Sequence, residues 1–409
     1  MKPTEQGRNA RTVALRFVLL IGVMSFFADF VYEGARSILG PYLAVLGASG
    51  AAVGAVAGLG ELAGYGLRVV SGRLADRTRL YWPITILGYV VQMTAVPALA
   101  LTRSWPAAAT LLVLERAGRA TRNPPRDVML SHAGRQMGGY GWAFGLHEAL
   151  DQLGALCGPL LMAFLLLRHG GASVAGGYRA GFAALVVPAI ATLALLAVAR
   201  VLYPRPEEME THPPDVSRSL GTAGLPRVFW IYLAGAALVG AGFADFALVA
   251  YHFQKASSVP AVWVPILYAV AMGVGGAGSL VFGRLFDQHG LRVLVPLTIL
   301  SAAFAPLVFF GGFWTAVAGA AVWGAGMGAH ESIVPAAVAP MVPAERRASA
   351  YGLFTAGYGV AWFAGSALIG FLYDHSLGVT VAACIVLELA AIPFFVVASR
   401  RLPPTSKIR

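Results

Sequence analysis

The hexapeptide Gly72-Arg73-Leu74-Ala75-Asp76-Arg77 returns as Gly283-Arg284-Leu285-Phe286-Asp287-Gln288, 211 positions on in a chain of 409 residues. Each copy follows one long apolar run and precedes another. The repeated unit is therefore a set of membrane helices, and a duplicated helix bundle is the usual build of a secondary transporter. Two further pairs keep nearly the same offset. Ala28-Asp29-Phe30 matches Ala244-Asp245-Phe246, and Phe144-Gly145 through Gly158-Pro159 parallels Tyr351-Gly352 through Gly365-Ser366.

Hydrophobic residues make up 58% of the chain and charged ones 12%, with a mean hydropathy of +0.71. The solvent is lipid. At roughly 20 apolar residues per crossing, the runs predict an all-α membrane protein with twelve transmembrane helices. They fall at about 13–43, 50–72, 81–101, 105–126, 139–167, 176–200, 227–253, 259–283, 290–312, 314–339, 349–373 and 378–399. The polar stretch 201–226, rich in proline and glutamate, reads as a cytoplasmic linker between an N-terminal half, 1–200, and a C-terminal half, 227–409.

A net charge of +11 would suggest nucleic acid in a soluble protein. Here the basic residues sit on alternate loops, from Lys2, Arg8 and Arg11 through Arg77, Arg135, Arg205, Arg292 and Arg346 to Arg400 and Lys407. The positive-inside rule then puts both termini in the cytoplasm, with lipid and no nucleic acid as partner. The first apolar run continues into Asp29, Tyr32 and Glu33 without a cleavage site, so it reads as a retained helix in a bacterial-type inner membrane. Cys157 and Cys384 fall within spans without metal-ligand spacing and read as packing residues. No phosphate-cradling glycine loop with its lysine, serine-nucleophile motif or helical metal-binding His pair occurs. The expectation is neither an enzyme nor an ATP-driven pump, and no cofactor.

The Gly72–Arg77 segment with Thr78 and Arg79 resembles the signature loop of the major facilitator superfamily, and Gly283–Gln288 stands where that family repeats it. The resemblance covers essentially the whole chain. It implies two pseudo-symmetric six-helix bundles about a central cavity lined by spans 1, 4, 7 and 10, opening alternately to either face, in a protein that acts as a monomer. Thr78 stands where a glycine is common, and Gln288 replaces the second arginine.

Charges inside a bilayer cost at least roughly 2.5–3.5 kcal/mol each on insertion scales and mark functional positions. On the implied cavity helices they are Asp29, Glu33 and Arg36 in span 1, Asp245 and His252 in span 7, and His330 with Glu331 in span 10. Asp29 and Glu33 share a helix face, and two carboxylates in low dielectric do not both ionise easily, which makes a proton site. Arg36 could neutralise Glu33 and leave Asp29 to titrate, or brace Glu33 structurally. Adjacent residues diverge by about 100° on a helix, so Glu331 is assigned to the cavity and His330 to packing. Phe26, Phe30, Tyr32, Phe246, Tyr251, Tyr358 and Trp362 complete the apolar lining.

Span 4 carries Glu115, Arg116, Arg119, Arg122, Arg126 and Asp127 around Pro124-Pro125, which should break or kink the helix. Arg119 could meet an anionic substrate or hold a proton-carrying acid; were the helix to end at the prolines, Arg122, Arg126 and Asp127 would form a cytoplasmic latch. His147, Glu148 and Asp151 of span 5 read as a gating network. Gly72, Arg73, Asp76, Arg77, Gly283, Arg284 and Asp287 form the repeated gate, with the two aspartates favoured if they lie near a helix N-terminus.

The leading expectation is a proton-coupled antiporter exporting a small amphipathic or cationic compound, with Asp29 and Glu331 carrying protons and Glu33 and Asp245 behind them. A divalent-cation exporter would instead draw Asp29, Glu33, Asp245, His252, His330 and Glu331 within coordination distance. A proton-coupled importer would use the same carboxylates.

Overall fold

The computed structural model describes residues 5–134, 140–169, 174–209, 225–338, 341–342 and 347–401, and every regular element among them is helical. In lipid a backbone must satisfy its polar groups internally, and a helix does so within one segment. The N-terminal helices are α1 (Glu5–Val45), α2 (Gly50–Thr78), α3 (Tyr81–Ala98), α4 (Trp105–Gly134), α5 (Tyr140–His169), α6 (Val174–Ala184) and α7 (Val186–Leu202). The C-terminal helices are α8 (Arg227–Gly242), α9 (Phe246–Ala256), α10 (Trp263–His289), α11 (Leu294–Ala302), α12 (Phe304–Phe309), α13 (Phe313–Ala336), α14 (Arg347–His375), α15 (Leu377–Ala390) and α16 (Ile392–Arg401). Ten segments are long and apolar enough to cross a membrane. The arginine-rich α4 and the glycine-rich α13 bring the crossings to the expected twelve.

Four crossings are built from two helical pieces. Three breaks, at Leu185, Ala303 and Ala391, stand just before Pro188, Pro306 and Pro393. Each proline lacks the N–H that would bond the carbonyl four residues back, so the preceding turn loosens. The fourth break, Phe243–Asp245 between α8 and α9, has no proline. Asp245 sustains it instead, its Oδ1 accepting the Ala247 N–H at 2.9 Å as the cap of α9.

The chain divides into two compact units, Met1–Arg36 with Gly66–Val216, and Ser37–Tyr65 with Ser217–Arg409. The ends of α1 and α2 that meet at their shared turn thus group with the C-terminal half. Residues 210–224 of the expected linker lie outside the described residues. In the first unit α3 packs on α4 at Gly88 and Gly118, where a Cβ on either would lie 2.6 or 2.7 Å from the other's carbonyl oxygen. In the second, α10 packs on α13 in the same manner through Gly275, Gly324 and Gly328. Small residues at such crossings let backbones approach where lipid offers no hydrophobic driving force. Leu101, Val187, Leu280 and Trp314 stay largely exposed, as lipid-facing positions do.

One hydrogen bond records the duplication. The Ser71 hydroxyl of α2 donates to the Ala120 carbonyl of α4 at 3.1 Å, and the Ser279 hydroxyl of α10 donates to the Gly328 carbonyl of α13 at 3.1 Å, each across 49 residues. The first bond also explains how α4 survives its paired prolines. Pro124 cannot bond the Ala120 carbonyl, and Ser71 takes its place. Of the two outcomes expected at Pro124-Pro125, a break does not occur; α4 continues to Gly134.

Candidate functional site

Within the first unit the charged side chains of α1 and α4 gather around Asp29. Its Oδ2 lies 3.4 Å from Arg119 Nη2 and its Oδ1 3.5 Å from Arg122 Nη2. Both separations exceed the 2.7–2.9 Å of a tight charge-assisted bond, and Oδ1 has no hydrogen-bond partner among the described residues. Arg122, fully buried, is anchored behind the acid by Gln92 Oε1 at 2.7 Å and the Tyr89 hydroxyl at 3.0 Å, both on α3. Arg119 is held more loosely. Its side chain is 22% exposed, its guanidinium carbon lies 3.9 Å from the Tyr32 ring centre, and its buried Nε has no acceptor among the described residues.

Tyr32 is the floor of this cluster. The Arg116 and Arg36 guanidiniums also approach its ring, at 5.1 and 6.0 Å, while its buried hydroxyl is unpartnered among the described residues. Glu33 is buried beside it. Glu115 accepts from Gln92 Nε2 at 3.2 Å and pairs with Arg116 at 3.6 Å. Helix spacing accounts for the convergence: residues 29, 32, 33 and 36 form one face of α1, and 115, 119, 122 and 126 one face of α4. The positions expected to form a latch, Arg122 and Arg126, therefore belong to the same face as Arg119.

The gating residues expected on α5 lie in this unit as well. His147 Nε2 is 2.8 Å from Ser25 Oγ, which also accepts from Arg126 Nη1 at 3.4 Å, and Arg126 pairs with Asp127 at 2.8 Å. His147, Glu148 and Asp151 bring one ligand atom each within 4.8 Å of one another. Phe26 and Phe30 give carbonyl surface to α5, at Gly154 and Gly158, where any side chain would collide.

The second unit holds the remaining lining candidates in two places. Phe246 packs on Tyr268 and Trp323, while His330 and Trp362 pack on Phe243 at the α8–α9 break and Tyr358 packs on both of them; His330 Nδ1 is 3.3 Å from the Tyr358 hydroxyl. Tyr251 lies against the α1–α2 turn and His252 against Tyr373 and Phe309. Tyr251 donates to the Ala48 carbonyl at 3.0 Å, and His252 Nδ1 stands 2.9 Å from the Tyr373 hydroxyl. Lys255 lies over both tyrosine rings, at 5.5 and 5.6 Å, beside a cavity of about 450 Å³. Asp374 caps α2 there, accepting from Gly50 and Ala51 N–H at 2.8 and 2.7 Å.

The sequence profile of the Major Facilitator Superfamily matches residues 18–311 and, again, 263–409. The chain belongs to the Major Facilitator Superfamily. It is 42% identical over 398 residues to an uncharacterised protein of Mycobacterium tuberculosis, covering 96% of this chain and 95% of the relative. An uncharacterised transporter of this superfamily from Methanocaldococcus jannaschii is 26% identical over 370 residues, 88% of this chain and 89% of its own. Among solved structures, the nucleoside transporter NupG superposes with a TM-score of 0.68 at 16% identity, covering 96% of this chain and 100% of that one. A transporter of the POT family in complex with 5-aminolevulinic acid does so at 0.73 and 14% identity, covering 96% and 97%. These likenesses establish the fold and, with the superfamily match, secondary transport across a membrane.

The superfamily's repeated motif sits differently from expectation. Gly72–Arg77 occupies the final turns of α2 and Gly283–Asp287 those of α10. Asp76 and Asp287 thus lie toward the carboxyl ends of their helices, where the dipole opposes a negative charge, and the N-terminal argument does not apply to their own helices. Arg73, Arg77 and Arg284 are exposed. The side chains of Asp76, Asp287 and Glu331 lie outside the described residues.

Sequence reasoning missed Tyr89, Gln92, Ser25 and Glu388. Gln92 is the lone amide in the apolar run 81–101, and Glu388 the lone charge between Leu377 and Ala398. Both were visible by the same rule that selected Asp29. Tyr89 and Ser25 carry no sequence signal, because a tyrosine or serine in a span is common and only the facing arginine gives it a task.

Proposed function

We propose that this superfamily member is a proton-coupled importer of a small organic anion bearing a carboxylate or phosphate. It works as a monomer in the cell membrane, with both termini in the cytoplasm. The observation that carries the reading is Arg119, a guanidinium beside Asp29 whose buried Nε has no acceptor among the described residues, over a tyrosine whose hydroxyl likewise has no partner among them. Buried donors of this kind call for an acceptor. An anion arriving there meets both donors and competes with Asp29 for one cation. As it wins, Asp29 loses half its counter-charge, and a proton on Asp29 restores the balance of a buried site that tolerates no lone charge. Anion and proton load together, which is symport, and an inward proton gradient then drives uptake.

Antiport of a cationic compound is less favoured, because five arginines, Arg36, Arg116, Arg119, Arg122 and Arg126, lie on the α1 and α4 faces around Asp29 and repel a cationic substrate. The divalent-cation reading is less favoured because the arginines that surround Asp29 and Glu33 within the first unit repel a metal ion.

The test is proton entry into reconstituted vesicles, read by an internal pH dye, as carboxylates, organic phosphates, organic cations and divalent metals are added in turn. Organic anions are expected to drive flux that Asp29→Asn and Arg119→Gln abolish. Flux driven by cations or metals and indifferent to Arg119→Gln sinks the proposal.

A further inference from the structure

Glu388 is the twelfth of the 25 residues of the crossing Leu377–Arg401, at mid-membrane depth. It is fully buried, and neither carboxyl oxygen has a hydrogen-bond partner among the described residues. The helices packed on α15 are α8, α11, α12, α14 and α16, and among the described residues their charged side chains, Arg227, Asp374, His375, Arg400 and Arg401, stand at helix ends. On α8, Tyr232 gives its hydroxyl to the Val334 carbonyl; on α14, Tyr358 pairs with His330 and Asp374 caps α2. Arg400 and Arg401 close the far end of α16, and α11 and α12 contain no ionisable residue. The groups that do face Glu388 are the Cys384 thiol, one turn back, and the Ser301 hydroxyl of α11, outside hydrogen-bond geometry.

The carboxyl is also fitted to its place. A Cβ on Gly242 would lie 3.0 Å from Glu388 Cγ and 2.9 Å from the Cys384 carbonyl oxygen, so α8 leaves room for this side chain by having none of its own. Gly242 is the last residue of α8, and the break begins at the next one, Phe243. Phe243 in turn is wedged among His330, Trp323 and Trp362, with ring centres 4.5, 5.3 and 5.8 Å away. Any shift of that aromatic cluster pulls on the backbone beside the acid, and broken helices are where secondary transporters place their coupling ions.

We propose that Glu388 is a proton-binding site: a carboxylic acid kept neutral while Gly242 seals it, and ionised when movement at the α8–α9 break admits water. A purely structural acid would hold a cation or a hydrogen-bond network, and among the described residues Glu388 has no cation beside it and only the Ser301 hydroxyl nearby. The role in transport rests on the proton-coupled reading above; the occupancy of the site by a proton does not.

The experiment treats the full-length protein in lipid vesicles with dicyclohexylcarbodiimide, which modifies protonated carboxyls in apolar surroundings, and locates the adduct by peptide mass spectrometry. An adduct at Glu388 is expected, declining as pH is raised and absent from Glu388→Gln. In the same vesicles, proton flux driven by organic anions should be lost in Glu388→Gln and partly kept in Glu388→Asp. Absence of the adduct from folded wild-type protein at every pH overturns the proposal, as does undiminished flux in the glutamine variant. Failure of every anion to drive flux in the wild type removes the symport reading, while the labelling still decides whether Glu388 carries a proton.

Discussion

The two arginines at Asp29 should differ sharply in how strongly they couple to it. At 3.4–3.5 Å, with an effective dielectric of about 20, each attraction is worth about 5 kcal/mol before desolvation. Desolvation and solvent screening then act unequally. Arg122 is fully buried and cannot turn to water, so removing Asp29 leaves it an uncompensated charge, a loss of about 3–5 kcal/mol. Arg119, 22% exposed, can relax outward, and its coupling falls to about 1 kcal/mol or less. The perturbations are Asp29→Asn, Arg122→Gln, Arg119→Gln and the two double variants, with stability read as equilibrium unfolding in mixed detergent micelles. The Asp29/Arg122 double variant is expected to cost about 2–3 kcal/mol less than the sum of its singles, and the Asp29/Arg119 double within about 1 kcal/mol of additive. Additivity at Arg122, or stronger coupling at Arg119, would refute both the buried pairing and the looseness on which anion competition depends.

Three further outcomes follow from the helix contacts. Ser71→Ala should cost about 1 kcal/mol by orphaning the Ala120 carbonyl, and almost nothing when Pro124→Ala has restored the backbone N–H, a dependence visible in paired unfolding curves. Gly118→Leu meets the Gly88 carbonyl and the Gln92 backbone, so it should destabilise by at least about 1–3 kcal/mol, seen as loss of monodisperse protein in detergent. Asp374→Ala removes the cap of α2 and should cost about 1 kcal/mol; a cysteine placed at Ser49 should then react faster with a water-soluble maleimide, and an unchanged rate would count against that cap.

Much of the architecture was legible in the residues alone. Twelve apolar runs, the alternating basic loops and the repeat at 72 and 283 are local or periodic properties, and lipid leaves the backbone no alternative to helices. That α4 carries an unusual density of charge for a span was equally plain from Arg119, Arg122 and Arg126. What those charges do was not. The matched triplets around Asp29 and Asp245 suggested equivalent roles, yet Asp29 sits mid-helix between two guanidiniums and Asp245 caps a break. A triplet records ancestry, while the role depends on what faces it from other helices.

The paired prolines make the same point. Read along the chain they break or kink a helix; in three dimensions the Ser71 hydroxyl takes up one of the two carbonyls they orphan, that of Ala120, and α4 carries its arginines on to the face of α1. Likewise, nothing in the sequence joins Tyr251 to the α1–α2 turn or His252 to Tyr373, and packing makes both contacts. Sequence alone determined the lipid environment, the helix count and which side chains are costly to bury, because those follow from composition and period. Tertiary structure decided which acid meets which base, because partners within a few ångströms lie on helices dozens to hundreds of residues apart, and only packing sets their rotation about their own axes.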